Sequence, residues 1–302
     1  MGKRMAQRAA ALILALALAA AAGAWAAQGL PAEKDVFLIG LIPEENIFRQ
    51  IQRHRPLEEY LGDRLGVRVK FTILSRYGDI VDRFASREMD GAFFGIFTSV
   101  LAMEKLSVEP VARPVSMDGG STAQGYVFVR KDSGIKSLED TRGKRAVFVD
   151  RATATGYIFL VALLREMGAG SLDDYFSEYY FTGSHDTAVH AVLDGRADVG
   201  TVKSRIFDRL AEKDPLIKDE IRIIARSMSL PDTTLCLSKS VPRELRDRLT
   251  ETLLSMDGDA KGREVLARMG ISRFTAAVRD DFGPVYELAE KAGRRMERDG
   301  RR

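Results

Sequence analysis

Strand-like and helix-like segments alternate along almost the whole chain, and this alternation narrows the possible folds more than any other feature. Val36–Ile42 (VFLIGLI) is a continuous apolar run of strand length, the pattern of a strand buried on both faces. Pro56–Leu65 sets Leu57, Tyr60, Leu61 and Leu65 at helical spacing, and Val67–Leu74 alternates Val67, Val69, Phe71 and Ile73 as a strand does. A helix over 77–86, a strand at 91–95, a helix over 97–105 and a strand at 126–130 complete a first series. A second series has strands at 146–149, 179–181, 197–202 and 221–225, with helices over 157–167, 186–193 and 204–212 between them. Thr234–Leu237 then reads as a strand returning beside Tyr126–Arg130, followed by helices over 242–256, 262–269 and 282–296.

Such alternation implies mostly parallel sheets flanked by helices. Two series, the first resumed at the end, predict an α/β protein of two lobes. Residues 27–132 and 229–302 form one lobe and residues 133–228 the other, with a two-crossing hinge at Arg130–Gly134 and Ser227–Pro231. Met89-Asp90-Gly91-Ala92 and Arg196-Ala197-Asp198-Val199 each put an acid at the start of a short strand, a faint echo between the two series.

The first 26 residues are set apart from the fold. Lys3, Arg4 and Arg8 precede an unbroken apolar run, Ala9–Ala22, and Ala24-Trp25-Ala26 supplies small residues for cleavage. This is the pattern of a secretory signal peptide, with an uncleaved membrane anchor as the alternative. Those three cations account for the whole formal net charge of +3, so residues 27–302 are formally neutral. A neutral, mixed surface lacks the basic footprint that nucleic-acid binding requires. The single cysteine, Cys236, excludes an internal disulfide and lies in an apolar run (TTLCL), where it reads as a buried, inert thiol.

Two strand-to-helix junctions could hold an anion. Asp150–Tyr157 (DRATATGY) puts small and hydroxyl residues at a helix start, where leading N–H groups can face negative charge and Thr153 and Thr155 can donate. A plain N-cap is the alternative. Thr182–Asp186 (TGSHD) is the second, with His185 directed toward the strand ends where open α/β sheets bind ligands. In the first series, Pro43-Glu44-Glu45-Asn46, Ser75-Arg76-Tyr77 and Gly95–Ser99 end strands, with Ser99 at a helix start. Tyr77 and Tyr126 could line a cleft or simply pack.

Catalysis finds little support. Cys236 has no neighbouring base, His185 and His190 are five apart rather than at zinc-binding i,i+4 spacing, and no nucleophile elbow or Walker loop occurs. No cofactor or metal is expected.

Gly40–Asn46 (GLIPEEN), Phe93–Ala102 (FFGIFTSVLA), Val127–Lys144 (VFVRKDSGIKSLEDTRGK), Phe148–Tyr157 (FVDRATATGY) and Gly183–Gly200 (GSHDTAVHAVLDGRADVG) together resemble, in order, the phosphate/phosphite/phosphonate-type substrate-binding proteins of ABC importers. The resemblance runs from about Val36 to Arg273. It implies a type II periplasmic-binding-protein fold, periplasmic residence, a small oxyanion held between the lobes of a monomer, and a membrane permease as partner. The family's Ser/Thr-rich oxyanion loop falls on Thr153, Ala154 and Thr155, its GSHD histidine on His185, and its cleft tyrosines on Tyr77 and Tyr126. Members that take aminoalkylphosphonates use carboxylates for the amine. Here the corresponding segments read Thr201-Val202-Lys203-Ser204 and Leu230-Pro231-Asp232-Thr233, with a lysine in the first and Thr233 where the family often has an acid. If Lys203 faces the cleft it favours extra negative charge on the ligand, and Asp232 could stand in for the missing acid. A sensor of the same fold feeding a signalling partner, or a binding protein for an unrelated small anion, remains the alternative.

Overall fold

The computed structural model describes residues 36–74 and 76–294. The expected leader, Ser75 and the basic tail from Arg295 lie outside the described residues. Among the described residues, no helix is long and apolar enough to cross a membrane.

The buried run becomes β1 (Phe37–Leu41), which sits between two parallel neighbours, β2 (Val69–Ile73) and β3 (Gly91–Phe94). Helix α1 (Ile47–Leu65) is longer than its apolar spacing predicts, because Asn46 accepts from the Arg49 N–H and starts it nine residues ahead of Pro56. Pro56 removes one helical hydrogen bond, and the carbonyl left over belongs to the exposed Gln52. α2 (Ile80–Ser86) precedes β3, and α3 (Ile96–Lys105) follows it. β4 (Val108–Ser116) was not legible, since Pro110 and Pro114 argue against a strand interior. A register shift between Leu235 and Cys236 lies opposite Pro110, while Pro114 pairs with Phe274.

The second sheet is built from β6 (Gly125–Arg130), β7 (Arg145–Phe148), β8 (Glu178–Phe181), β9 (Val199–Lys203) and β10 (Ile221–Arg226). Its helices are α4 (Phe159–Glu166), α5 (Leu172–Tyr175), α6 (His185–Leu193), α7 (Ser204–Lys213) and α8 (Pro215–Glu220). The chain then returns through β12 (Thr234–Ser238), α9 (Arg243–Leu254), α10 (Ala260–Met269), β13 (Ile271–Ala276) and α11 (Gly283–Lys291).

Strand orders are β13-β4-β12-β3-β1-β2 and β10-β6-β9-β7-β8. Each sheet is parallel in one half and antiparallel in the other. The expected pairing of Thr234–Leu237 with Tyr126–Arg130 does not form. β12 pairs with β3 and β4, whereas β6 pairs with β9 and β10 in the second sheet. The passage between sheets therefore precedes β6 rather than lying at Arg130–Gly134. It runs through β5 (Thr122–Ala123), which pairs with β11 (Leu230–Pro231) on the return, so the two crossings form one small antiparallel ribbon.

The faint echo has a structural counterpart. Asp90 accepts the Leu38 N–H at the head of β1 (2.7 Å), and Asp198 accepts the Arg145 N–H at the head of β7 (2.9 Å). Each acid ties the third strand of its series to the first.

One core fills the space between the six-stranded sheet and α1, α9 and α10, around Ile39, Leu57, Phe93, Leu235 and Leu253. A second runs around Phe94, Phe97, Phe128, Phe148 and Val199 and includes Cys236. Burial pushes the Cys236 thiol well above its ordinary range, which keeps it inert. The approach of β9 to β6 requires a residue without a side chain: a Cβ on Gly200 would lie 2.5 Å from the Phe128 ring. Gly200→Val should therefore destabilise the protein by about 1–3 kcal/mol, read as a lower urea midpoint. An unchanged midpoint would contradict this packing.

Candidate functional site

The carboxyl ends of β1, β3, β7, β8 and β9 converge, as strand ends do at the ligand crevice of open α/β sheets. Beyond β7 the loop Asp150–Thr153 is tied down by its own groups. The Ala152 N–H donates to Asp150 Oδ1 (2.7 Å) and the Thr153 hydroxyl to the Asp150 carbonyl (2.6 Å). Gly156 allows the loop to fold onto β7, because a Cβ there would meet Val149 at 2.6 Å and the Thr153 hydroxyl at 2.8 Å.

The helix opens with a π turn, Ala154–Ile158, continuous with α4. Ile158 donates to the Thr153 carbonyl and Phe159 to that of Ala154, both i→i−5. The N–H groups of Ala154, Thr155, Gly156 and Tyr157 thus precede the first N–H that donates within the helix, that of Ile158. This end of the helix walls a small cavity of about 10 Å³ lined by Glu44, Tyr77, Gly95, Ile96, Ala152–Thr155, His185 and Lys203, roughly the room for one water.

The Tyr77 side chain is 2% exposed, and among the described residues its hydroxyl has no hydrogen-bond partner. Burial, then the carboxylates of Glu44, Asp150, Asp186 and Asp232, push its ionisation well above 10, so it stays a donor. Its ring meets that of His185 edge-on at 6.1 Å. His185 is fully enclosed, and burial lowers its pKa to about 3 against the pull of Glu44. The neutral ring accepts the Lys203 backbone N–H at Nδ1 (3.2 Å), which puts its own proton on Nε2.

Lys203 ends β9 with its ammonium inside the protein. Nζ lies 2.6 Å from Glu44 Oε1, 2.5 Å from Asp232 Oδ1 and 2.8 Å from the Thr233 hydroxyl, which in turn donates to Glu44 (2.8 Å). An ammonium has three donors, and these three acceptors use them all. Burial alone would lower the Lys203 pKa, but Asp232 and Glu44 raise it, so the lysine stays charged. Burial alone would raise Glu44, but the charge and hydrogen bond of Lys203 hold it near 2. The sequence suggests that a cleft-facing Lys203 favours extra negative charge on the ligand; here its ammonium is instead taken up by Glu44 and Asp232. The cluster of one ammonium and two carboxylates carries net negative charge, which leaves an anion to neutral donors.

The cluster also joins the two sheets, since Glu44, Asp232 and Thr233 flank strands of the first and Lys203 belongs to the second. The His185 N–H donates to the Glu44 carbonyl (3.1 Å) and the Asn46 N–H to Asp186 (3.0 Å) across the same seam. Glu45 adds a further tie, with Arg53 at 2.5 Å and Arg209 at 3.0 Å.

Of the residues singled out in the sequence, Tyr77, Thr153, Ala154, Thr155, His185 and Lys203 line the one small cavity. Asp232 reaches it through Lys203. Two do not come to it. Ser99 donates to the Gly95 carbonyl (2.9 Å), bonding back into its own helix start. Tyr126 packs edge-on against Phe207 with the Arg226 guanidinium 4.3 Å over its ring. Glu44 is the residue not chosen from sequence. Its only signal was its position just past β1. Among the described residues, no group of three or more His, Cys, Asp or Glu could hold a metal ion.

The family described as "ABC transporter, phosphonate, periplasmic substrate-binding protein" matches residues 39–282. A phosphate-import protein of Mycolicibacterium smegmatis is 27% identical over 247 residues, covering 79% of this chain and 76% of that protein. A binding protein of an ABC phosphonate transporter from Pseudomonas aeruginosa superimposes with a TM-score of 0.79 at 21% identity, covering 86% and 87% of the two chains. A Prochlorococcus marinus protein in complex with methylphosphonate gives 0.77 at 18%, covering 86% and 99%. At these identities the two structures establish the two-lobed fold only.

The buried imidazole has a pH consequence. Unfolded, His185 protonates near its ordinary 6.5; folded, only near 3. The unfolded chain binds more protons over that range, so stability is full above pH 6.5 and declines as pH falls below it. His54, lowered chiefly by burial, acts with the same sign. Glu44, held near 2 instead of 4.5, adds a further loss below pH 4.5. Urea unfolding at about pH 7 and about pH 5 should show a drop that His185→Gln reduces; an undiminished drop in the variant would contradict a neutral buried His185.

Proposed function

The chain belongs to the family of periplasmic substrate-binding proteins of ABC phosphonate transporters, and from that premise we propose that it captures a small phosphorus oxyanion (phosphonate, phosphite or phosphate) in the cavity at the head of the Ala154–Glu166 helix. The observation that carries this reading is the buried Tyr77 hydroxyl, which has no hydrogen-bond partner among the described residues and lines the same cavity as Ala154 and Thr155 at the helix head. Neutral donors and a helix end suit an oxyanion. Thr155 and the His185 Nε2–H complete the donor set, while Thr153 acts as the buckle of the loop.

The relatives support the same class of ligand: one is a phosphate-import protein and one holds methylphosphonate. In this reading residues 1–26 direct export to the periplasm. The two sheets are the cores of lobes that close about the β5–β11 ribbon, and the closed monomer delivers its ligand to a membrane permease.

Ligand that binds only the folded state stabilises it by about 2.7 kcal/mol at a hundredfold excess over Kd, a Tm rise of about 5–10 °C for a chain of this size. Thermal shift against phosphate, phosphite, methylphosphonate, 2-aminoethylphosphonate and sulfate should show that rise for at least one phosphorus oxyanion. Tyr77→Phe should weaken that ligand about 10- to 100-fold, the worth of a hydrogen bond to a charged group, and His185→Ala should weaken it more than His190→Ala. No shift with any of the five would contradict the proposal.

A further inference from the structure

The small cavity has a larger neighbour. A chamber of about 340 Å³ lies against it, and Glu44 and Lys203 line both spaces. The partition between them is therefore the Lys203 side chain, held in place by Glu44, Asp232 and Thr233. Two carboxylates and a hydroxyl converging on one nitrogen are the donor-matched surroundings of an ammonium group. Here the chain provides that ammonium itself, and it closes the passage by which a substituent on the anion could extend. Beyond the cluster the chamber is lined by Asp118, Asp208 and Glu212 against Arg53, Arg205 and Arg209, so the excess negative charge at the passage is that of Glu44 and Asp232 around Lys203.

We propose that Lys203 is the specificity-determining residue of the site: its ammonium occupies the position a ligand's own ammonium would take between Glu44 and Asp232, and it restricts the protein to compact, amine-free oxyanions. This inference rests on the oxyanion reading above and narrows it. Phosphate, phosphite and methylphosphonate carry no ammonium to contend for that position; 2-aminoethylphosphonate competes with the resident ammonium and is rejected. Removal of the lysine side chain beyond Cβ reverses the preference. Lys203→Ala joins the two spaces and leaves Glu44 and Asp232 without a counter-ion, so an ammonium-bearing substituent gains two charge-assisted hydrogen bonds while a compact anion meets two uncompensated carboxylates.

The test is calorimetric titration of wild type, Lys203→Ala and Lys203→Met with methylphosphonate, ethylphosphonate and 2-aminoethylphosphonate. Wild type should bind methylphosphonate more tightly than 2-aminoethylphosphonate. In Lys203→Ala the affinity ratio of 2-aminoethylphosphonate to methylphosphonate should rise about 10- to 100-fold, while ethylphosphonate, which has bulk without charge, should not gain. Lys203→Met fills the passage without charge, so it should weaken both ligands and leave the ratio as in wild type. A folded Lys203→Ala with an unchanged ratio overturns the inference. So does a wild type that binds 2-aminoethylphosphonate as tightly as methylphosphonate, a result that needs no variant to fold. A wild type that binds none of the three phosphonates, nor phosphate or phosphite, overturns the oxyanion reading and this inference together.

Discussion

A buried ammonium between two carboxylates is the interaction on which the rest of the site depends. Lys203 comes from the last residue of β9 in one sheet, and Glu44 and Asp232 come from loops flanking the other. Desolvating three charges is costly, and such clusters are seldom worth more than the apolar packing that could replace them. What this one contributes is position. It pins the two sheets at the cavity, sets its far wall, and removes the nearest cation from any role in holding a ligand. Loss of one member of such a group leaves an uncompensated buried charge, a cost of about 3–5 kcal/mol.

With that cation neutralised, the remaining wall is built from neutral donors. The π opening of the helix exposes one more N–H than an α opening would. Gly156 lets the loop approach β7 closely enough to form it. His185 is kept neutral by burial and given a defined tautomer by the Lys203 backbone N–H. Tyr77 is kept protonated by burial and by the surrounding carboxylates. Each donor depends on a packing detail some residues away, so the site is a property of the closed arrangement of both sheets rather than of any one motif.

Much of this was legible in the sequence where the signal was local. The buried run of β1, the small-residue helix start after β7 and the GSHD turn are short-range patterns, and each lies where it was expected. The paired acids Asp90 and Asp198 were visible as an echo, and their matching bonds to β1 and β7 explain it. What could not be read is non-local. β4 hides behind Pro110 and Pro114, the first of which lies opposite a register shift in the partner strand. β6 looks like any apolar strand, and only its partners β9 and β10 assign it to the second sheet. Ser99 had two options, a ligand or its own helix carbonyl, that local sequence does not distinguish. Glu44 was one of two adjacent acids after a strand, indistinguishable from Glu45 until Lys203 reached it from 159 positions away.

The central claim is that an oxyanion is held by neutral donors at the helix head while Lys203 stays bound to its carboxylates. A crystal structure of the methylphosphonate complex tests this most directly. The account predicts the phosphonate oxygens within hydrogen-bond distance of the Tyr77 hydroxyl and the N–H groups of Thr155 and Gly156, with Lys203 Nζ still on Glu44 and Asp232. A ligand seated elsewhere, or one bound by a Lys203 ammonium that has left both carboxylates, would contradict it.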